Sequence, residues 1–102
     1  MDTLRKTLQE AMSGYTGEAL NGYSYLTHDQ EQNLFTVVSV GHIGERRIID
    51  TGLVVRLDEN TIIIEHDAND KPLVDALLEL GLARTSIILA YAGETPQQAE
   101  VA

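Results

Sequence analysis

The chain has 102 residues, 43% of them hydrophobic, which suffices for one small globular core and is too little for two. Seven Lys and Arg residues face sixteen Asp and Glu residues, so the net charge of −9 disfavours direct binding to the polyanionic backbone of nucleic acids. The absence of cysteine excludes disulfides and thiolate chemistry, and the first residues, MDTLRKTLQEAM, lack the apolar core of a secretory leader. We therefore expect a single soluble, cytoplasmic domain that spans residues 1–102.

Residues 2–13 have the apolar spacing of an amphipathic helix. Leu4, Leu8 and Met12 recur every four residues, with Ala11 beside them, so they form one stripe that faces a core. Ser13-Gly14 is a typical helix stop. The stretch YTGEALNGY that follows contains two glycines, and we predict a loop or a broken last helical turn there.

The middle of the chain is rich in Val, Ile, Thr, Tyr and Phe and predicts four strands. Turn residues interrupt this stretch at residues 29–33, at Gly44 and at residues 58–60. The connections are short, and short turns join neighbouring strands that run in opposite directions. We therefore expect an antiparallel meander.

Near residue 72 the apolar period changes from two to that of a helix. Pro72 suits a first helical turn, and Gly81 suits the left-handed position that ends a helix. SIILAYA predicts a last strand, and the polar tail 93–102 has a composition that leaves its order open. The predicted fold is α+β with two layers, a mainly antiparallel sheet of about five strands and two helices, in the order α-β-β-β-β-α-β. A sheet whose open face carries Ile, Val and Tyr also indicates a homo-oligomer.

The run TIIIEHDANDKP, residues 61–72, holds the strongest candidates for a metal site. Strand alternation places Glu65 and Asp67 on one face, where they could bind a divalent ion together with Asp50 of the preceding strand. A metal-dependent nuclease would also need a lysine within the strand, whereas Lys71 lies beyond the turn. This weakens the metal hypothesis.

A structural interpretation of the same run is better supported. Asp67 ends the strand, and Asn69 or Asp70 caps the following helix, whose positive end favours nearby acids. We accordingly predict no bound metal and no cofactor. Glu65 and Asp67 remain the acids to check for a buried charge or for contact with the arginine of a partner.

The other polar residues show no pattern that specifies a reaction. The three histidines lie on different predicted strands, and Ser39 near His42 is not part of a nucleophile elbow. Arg46 and Tyr91 are candidate interface residues, together with Glu65, because arginine binds carboxylates and tyrosine often anchors interfaces. The chain is therefore expected not to be an enzyme.

Three segments together resemble a known family. VVSVGHIGERRI, TIIIEHDANDKPLVDALLELGL and SIILAY, in this order and at these intervals, resemble XisI, the excision controlling factor of the fdxN element described from cyanobacteria. The chain departs from that family at His42, where Trp is common, at Ile63, where an aromatic residue is frequent, and at Gln97 and Gln98, where a basic residue is usual. The positions that carry the resemblance are Val40, Gly41, Arg47, Ile64, Asp67, Leu77, Gly81, Ile88 and Leu89.

The resemblance implies an accessory role in the programmed excision of a DNA element, in which a separate recombinase cuts and rejoins the DNA. It also implies a partner that resembles XisH, a protein with a nuclease-like fold. It supplies no catalytic residues. Two alternatives are an antitoxin that inhibits a nuclease-fold partner and, with less support, a metal-dependent nuclease that uses Asp50, Glu65 and Asp67.

Overall fold

The helices and strands follow the predicted order, with one additional strand. The computed structural model describes residues 2–19 and 21–95, and the fold is α+β with two helices and six strands. The elements are α1 (Asp2–Ser13), β1 (Gly17–Ala19), β2 (Gly22–Asp29), β3 (Leu34–Ile43), β4 (Arg46–Asp58), β5 (Thr61–Asp67), α2 (Leu73–Glu79) and β6 (Ile87–Leu89). Single 3₁₀ turns lie at Arg84–Ser86 and Ala90–Ala92.

The additional strand is β1, in a stretch that was predicted to be a loop or a broken last helical turn. Residues Gly17 to Ala19 pair antiparallel with Ser24 to Gly22 at the edge of the sheet. The prediction was wrong at this point because the composition of GEA gives no β preference. Its backbone is ordered by hydrogen bonds to β2 rather than by its own side chains.

The sheet has the strand order β1-β2-β3-β4-β5-β6. Strands β2 to β5 form the predicted antiparallel meander of four strands, with tight turns at Gly44 and at residues 58–61, and β1 extends it by one strand. Strand β6 runs parallel to β5, and α2 makes the crossover connection that parallel neighbours require. The helix and the last strand are therefore coupled to one edge of the sheet.

Both helices cover the same face of the sheet. The stripe predicted for α1 is confirmed, since Leu8 and Met12 are fully buried and Leu4 packs against them. They contact a cluster from both layers that includes Phe35, Val37, Leu53, Val55, Leu57, Ile62, Ile64, Leu73, Val74, Leu77 and Ile87. No helix within the described ranges is long and apolar enough to cross a membrane.

Two β-bulges change which face the side chains occupy. The β3–β4 register skips Gly52, since Val37 pairs with Leu53 and Val38 pairs with Thr51. The β4–β5 register skips Glu65, since Val55 pairs with Ile64 and Val54 pairs with His66. An extra residue in one strand reverses the alternation beyond it, so residues on either side of a bulge cannot be assigned to faces by counting.

Helix α2 ends as the sequence predicted. Gly81 adopts a left-handed conformation with φ of 95°. The N–H of Leu82 donates to the carbonyl of Leu77 at 3.2 Å, and the N–H of Gly81 donates to the carbonyl of Leu78 at 3.0 Å. These two bonds form a Schellman motif, which also turns Leu82 back onto the core.

Candidate protein-interaction surface

Glu65 and Asp67 do not share a face, contrary to the expectation from strand alternation. Glu65 occupies the bulge of β5 and accepts a hydrogen bond from Nε of Arg56 at 3.3 Å. Asp67 pairs with the buried Leu53 and points to the helix layer, where it bonds the start of α2. The physical reason is the bulge, in which Glu65 is itself the extra residue of β5, so the alternation of faces is broken between Glu65 and Asp67.

Asp67 acts as the cap of α2, a role that was assigned from sequence to Asn69 or Asp70. Its Oδ2 accepts the N–H of Leu73 at 2.7 Å, and its Oδ1 accepts the N–H of Asn69 at 3.0 Å and the Nδ2 amide at 2.9 Å. The same amide also donates to the carbonyl of Gly52 at 3.2 Å. The carboxylate thus holds the end of β5 to the first turn of α2, where a negative charge is favourable.

Replacing Asp67 by Ala should lower the free energy of unfolding by about 1–2 kcal/mol, because three hydrogen bonds to a charged acceptor are lost. Urea unfolding followed by circular dichroism measures this change. Asp70→Ala is the matched control, since Asp70 is exposed and three residues away. Equal losses for both variants would contradict the capping role.

Asp50 lies apart from both of these acids. It pairs with Ser39 in the half of β4 that precedes the Gly52 bulge, and β5 pairs with β4 only from Leu53 onward. Within residues 2–19 and 21–95, no group of three or more His, Asp or Glu side chains is arranged to hold a metal ion. The geometry thus gives Asp50, Glu65 and Asp67 no common ligand position.

Ser39 and His42 line a shallow depression of about 210 Å³ at the far end of the β3–β4 hairpin. The hydroxyl of Ser39 shares a hydrogen bond of 2.7 Å with the hydroxyl of Ser24. The backbone N–H and C=O of His42 are both hydrogen-bonded to Asn21. The remaining lining residues include Gly41, Ile43, Ile48 and Asp50. These contacts account for both residues as part of the sheet.

The other two histidines belong to different surroundings. The ring of His28 stacks on Phe35 with centroids 4.2 Å apart, and Nη1 of Arg5 lies 3.0 Å from its Nε2. His66 pairs with Val54 on the far side of the β5 bulge and is exposed. The fold therefore keeps the histidines separate.

Acidic side chains lie on and around α2, two of them in ion pairs, Glu79 with Lys71 and Glu94 with Arg84, and we call this group the α2 acidic surface. Burial raises the pKa of Tyr15 above its usual value, and the charges of Asp67, Asp75 and Glu79 raise it further. The hydroxyl of Tyr15 donates to the carbonyl of Lys71 at 2.7 Å. The α2 acidic surface consists of Asp67, Asp75, Glu79 and Glu94 with the two tyrosines Tyr15 and Tyr91.

Tyr91 is the exposed aromatic residue of this surface. It lies in the 3₁₀ turn after β6, and 43% of its side chain is accessible. Burial of part of its ring raises the pKa of the phenol, as do the nearby Asp67, Asp75 and Glu94, whereas Arg84 acts in the opposite direction. Tyrosines with one face buried and one exposed are enriched at protein interfaces.

Glu94 is a structural residue that sequence reasoning missed. Its Oε1 accepts the N–H of Leu89 at 2.9 Å and its Oε2 accepts Nη2 of Arg84 at 2.7 Å, and these two interactions lower the pKa of the carboxyl. Residues 93–95 therefore fold back on β6, although they were assigned to the tail. The rest of that tail, 96–102, lies outside the described residues, including Gln97 and Gln98.

The three candidate interface residues lie in three different places. Arg46 begins β4 at the end of the hairpin, whereas Glu65 lies opposite Val54 and Val55 of the same strand. Eight residues of strand separate these positions, roughly 26 Å at about 3.3 Å per residue. Tyr91 follows the edge strand β6, so these residues do not make one surface.

Most positions that carried the family resemblance lie in the interior or at turns. Val40, Ile64, Leu77 and Ile88 are buried, and Leu89 is partly buried. Gly41 pairs with Gly22, Gly81 ends α2, Asp67 caps it, and Arg47 is exposed on the hairpin. The pattern is therefore chiefly one of packing and turns, with Arg47 as its exposed side chain.

Comparison with known proteins agrees with this pattern. The chain is similar to a XisI-like protein from Anabaena variabilis ATCC 29413, with 19% sequence identity and a TM-score of 0.69, over 99% of this chain and 90% of the other. It is also similar to the fdxN element excision controlling factor XisI from the same organism, with 20% identity and a TM-score of 0.61, over 99% and 89% of the two chains. At these identities the two crystal structures show a shared fold.

No curated protein matches the chain. The family model described as XisI protein matches residues 1–101, which is nearly the full length of the sequence. By this match, the chain belongs to the XisI family.

Proposed function

We propose that this protein is a non-enzymatic regulatory factor that controls the excision of a DNA element through contacts with other proteins. One of the structural neighbours described above is an fdxN element excision controlling factor, which supports an excision role. The observation that carries the proposal here is the α2 acidic surface, with its half-exposed Tyr91. We propose that it binds a basic, XisH-like partner.

The charge distribution favours a protein rather than DNA as the partner. The net charge is −9, and three of the seven cations are already paired, in Arg56–Glu65, Lys71–Glu79 and Arg84–Glu94. Free Lys and Arg side chains provide most of the affinity for a phosphate backbone, and the described residues leave four cations outside these ion pairs. An acidic surface instead attracts a basic partner and accelerates its association.

Co-expression with an XisH-like protein tests the proposal. The two chains should co-purify and elute together at micromolar concentration, and this chain alone should show negligible DNA binding in a gel-shift assay at physiological salt. Reversing two charges of the surface, Asp75→Lys with Glu79→Lys, should weaken the complex by about tenfold or more.

The matched control is Glu31→Lys with Asp58→Lys. Both residues are exposed, lie in or beside turns away from α2, and change the net charge by the same amount. The control should bind as the unmodified chain does. Separate elution of the two proteins, or equal weakening by both double variants, contradicts the proposal. A rise in melting temperature with Mn²⁺, Mg²⁺ or Ca²⁺ would instead favour the metal-dependent alternative.

A further inference from the structure

The first half of β4 is an open strand edge. Strand β5 pairs with β4 only from Leu53 to Asp58. The carbonyl of Gly52 accepts the N–H of Ala68 at 2.9 Å and the side-chain amide of Asn69 at 3.2 Å. In the part of the chain that the structure describes, nothing pairs with residues 46–51 on this side.

Along this edge, the backbone N–H and C=O groups of every second residue point away from β3. The N–H of His42 donates to the carbonyl of Asn21 at 2.9 Å, away from β4. His42 and its partner Arg47 thus form a non-hydrogen-bonded pair, in which the groups of both residues point away from each other. The N–H and C=O of Arg47 and Ile49 are therefore directed to the open edge. Such an edge readily pairs with another strand.

The side chains of this segment are unusually apolar for an exposed strand. Ile49 is 57% exposed and Ile48 is 38% exposed, on opposite faces of the sheet. Arg46 and Asp50 lie on the same face as Ile48, two residues before and after it. Within residues 2–19 and 21–95, neither of them has an ion-pair partner. The segment thus carries opposite charges at equal distances on the two sides of Ile48.

We propose that this edge is a homodimer interface, in which residues 46–50 pair antiparallel with the same segment of a second copy. The two-fold axis passes between the two Ile48 side chains. Arg46 then lies opposite Asp50 of the second copy, and Asp50 lies opposite its Arg46. Arg47 and Ile49 exchange backbone hydrogen bonds with Ile49 and Arg47 of the second copy.

Charge pairing and the free length of the strand edge both favour this pairing register and a second copy of the chain as the partner. Opposite charges directly across a strand pair are stabilising, and a two-fold axis at Ile48 produces two such pairs at once. An axis at Ile49 would place Arg46 of the second copy beside Gly52, where Ala68 and Asn69 already occupy the edge. Residues 45–50 contain Glu45 and Asp50 beside the two arginines and so carry no net charge, which limits the repulsion between two copies of a chain of net charge −9.

Cysteine crosslinking tests the pairing register. The chain contains no cysteine, so only the introduced residue can form a disulfide. Ile48→Cys should form a disulfide-linked dimer rapidly under mild oxidation, because residues directly opposite in a non-hydrogen-bonded pair are about 4.5 Å apart at Cα. Ile43→Cys is the matched control: it is more exposed but lies on β3, with two copies of β4 between it and its equivalent. Crosslinking of Ile43→Cys at the same rate would overturn the proposal.

Charge exchange tests the pairing independently of any crosslink. Sedimentation velocity should show a dimer of the unmodified chain, and Arg46→Asp should raise the dissociation constant by about tenfold or more. The double variant Arg46→Asp with Asp50→Arg should restore the dimer, since the opposite charges meet again. Circular dichroism confirms that each variant is folded.

A chain that stays monomeric at about 100 µM, a concentration at which even weak pairs associate, overturns the proposal. A dimer that is insensitive to the Arg46 reversal overturns it as well. The interface does not depend on the XisH-like partner. A monomer that still binds that partner would refute the homodimer and leave the proposed function intact.

Discussion

Replacing Leu77 by Ala should lower the free energy of unfolding by about 2–5 kcal/mol, whereas Leu78→Ala should lower it by less than about 1 kcal/mol. The two residues are neighbours in α2 and undergo the same chemical change, so their helix propensities cancel in the comparison. Leu77 is fully buried in the cluster shared by α1, α2 and the sheet, whereas Leu78 is 41% exposed. The difference therefore reports the loss of apolar burial and the cavity left behind.

Urea unfolding followed by far-ultraviolet circular dichroism measures both values. All samples should have the same protein concentration, because a homodimer makes apparent stability depend on it. An equal loss for both variants would mean that α2 presents a different face to the sheet. In that case Asp75 and Glu79 would also lie on a different face, and the α2 acidic surface would not consist of the residues named above.

Replacing Gly22 by Ala should lower the free energy of unfolding by about 2–3 kcal/mol, near the upper end of the range for overpacking. A Cβ at this position would collide with the carbonyl oxygen of Val40 and lie 2.8 Å from Cα of Gly41. Both neighbours are backbone atoms, so no rotamer change can relieve the contact. The strands must separate locally or the backbone must shift.

Gly41→Ala is the matched control for this prediction. The two glycines face each other across β2 and β3, yet the nearest atom to a Cβ on Gly41 is the carbonyl oxygen of Asn21 at 3.7 Å, an ordinary contact. The control should therefore lose less than about 1 kcal/mol. Hydrogen exchange at the β1–β2 end should accelerate in Gly22→Ala alone. Equal behaviour of the two variants would contradict the close approach.

The two surfaces proposed for this protein rest on different physical features. The α2 acidic surface depends on charge and on an exposed tyrosine, so its affinity should fall as salt screens the charges. The β4 edge depends on backbone hydrogen bonds and isoleucine burial, with two charge pairs that set the register. Its salt dependence should therefore be weaker. Measuring both complexes over a range of ionic strength would separate the two contributions.

The sequence by itself determined the elements that depend on local periodicity and turn residues. The bounds of α1, the stop at Gly81 and the breaks around the meander follow from periods of 3.6 and 2 and from turn residues. The family resemblance could also be identified from the sequence, because it lies in buried and turn positions that keep their order along the chain. Local chemistry is sufficient for such features.

Only the tertiary structure decided which polar residues meet. The bulge at Glu65 separates it from Asp67, and the bulge at Gly52 sets the faces of Arg46 and Asp50. A bulge depends on how two strands align, and no residue in either strand encodes that alignment alone. The open edge of β4 likewise exists because β5 ends at Asp67 while β4 continues, so it is a property of the sheet rather than of any segment.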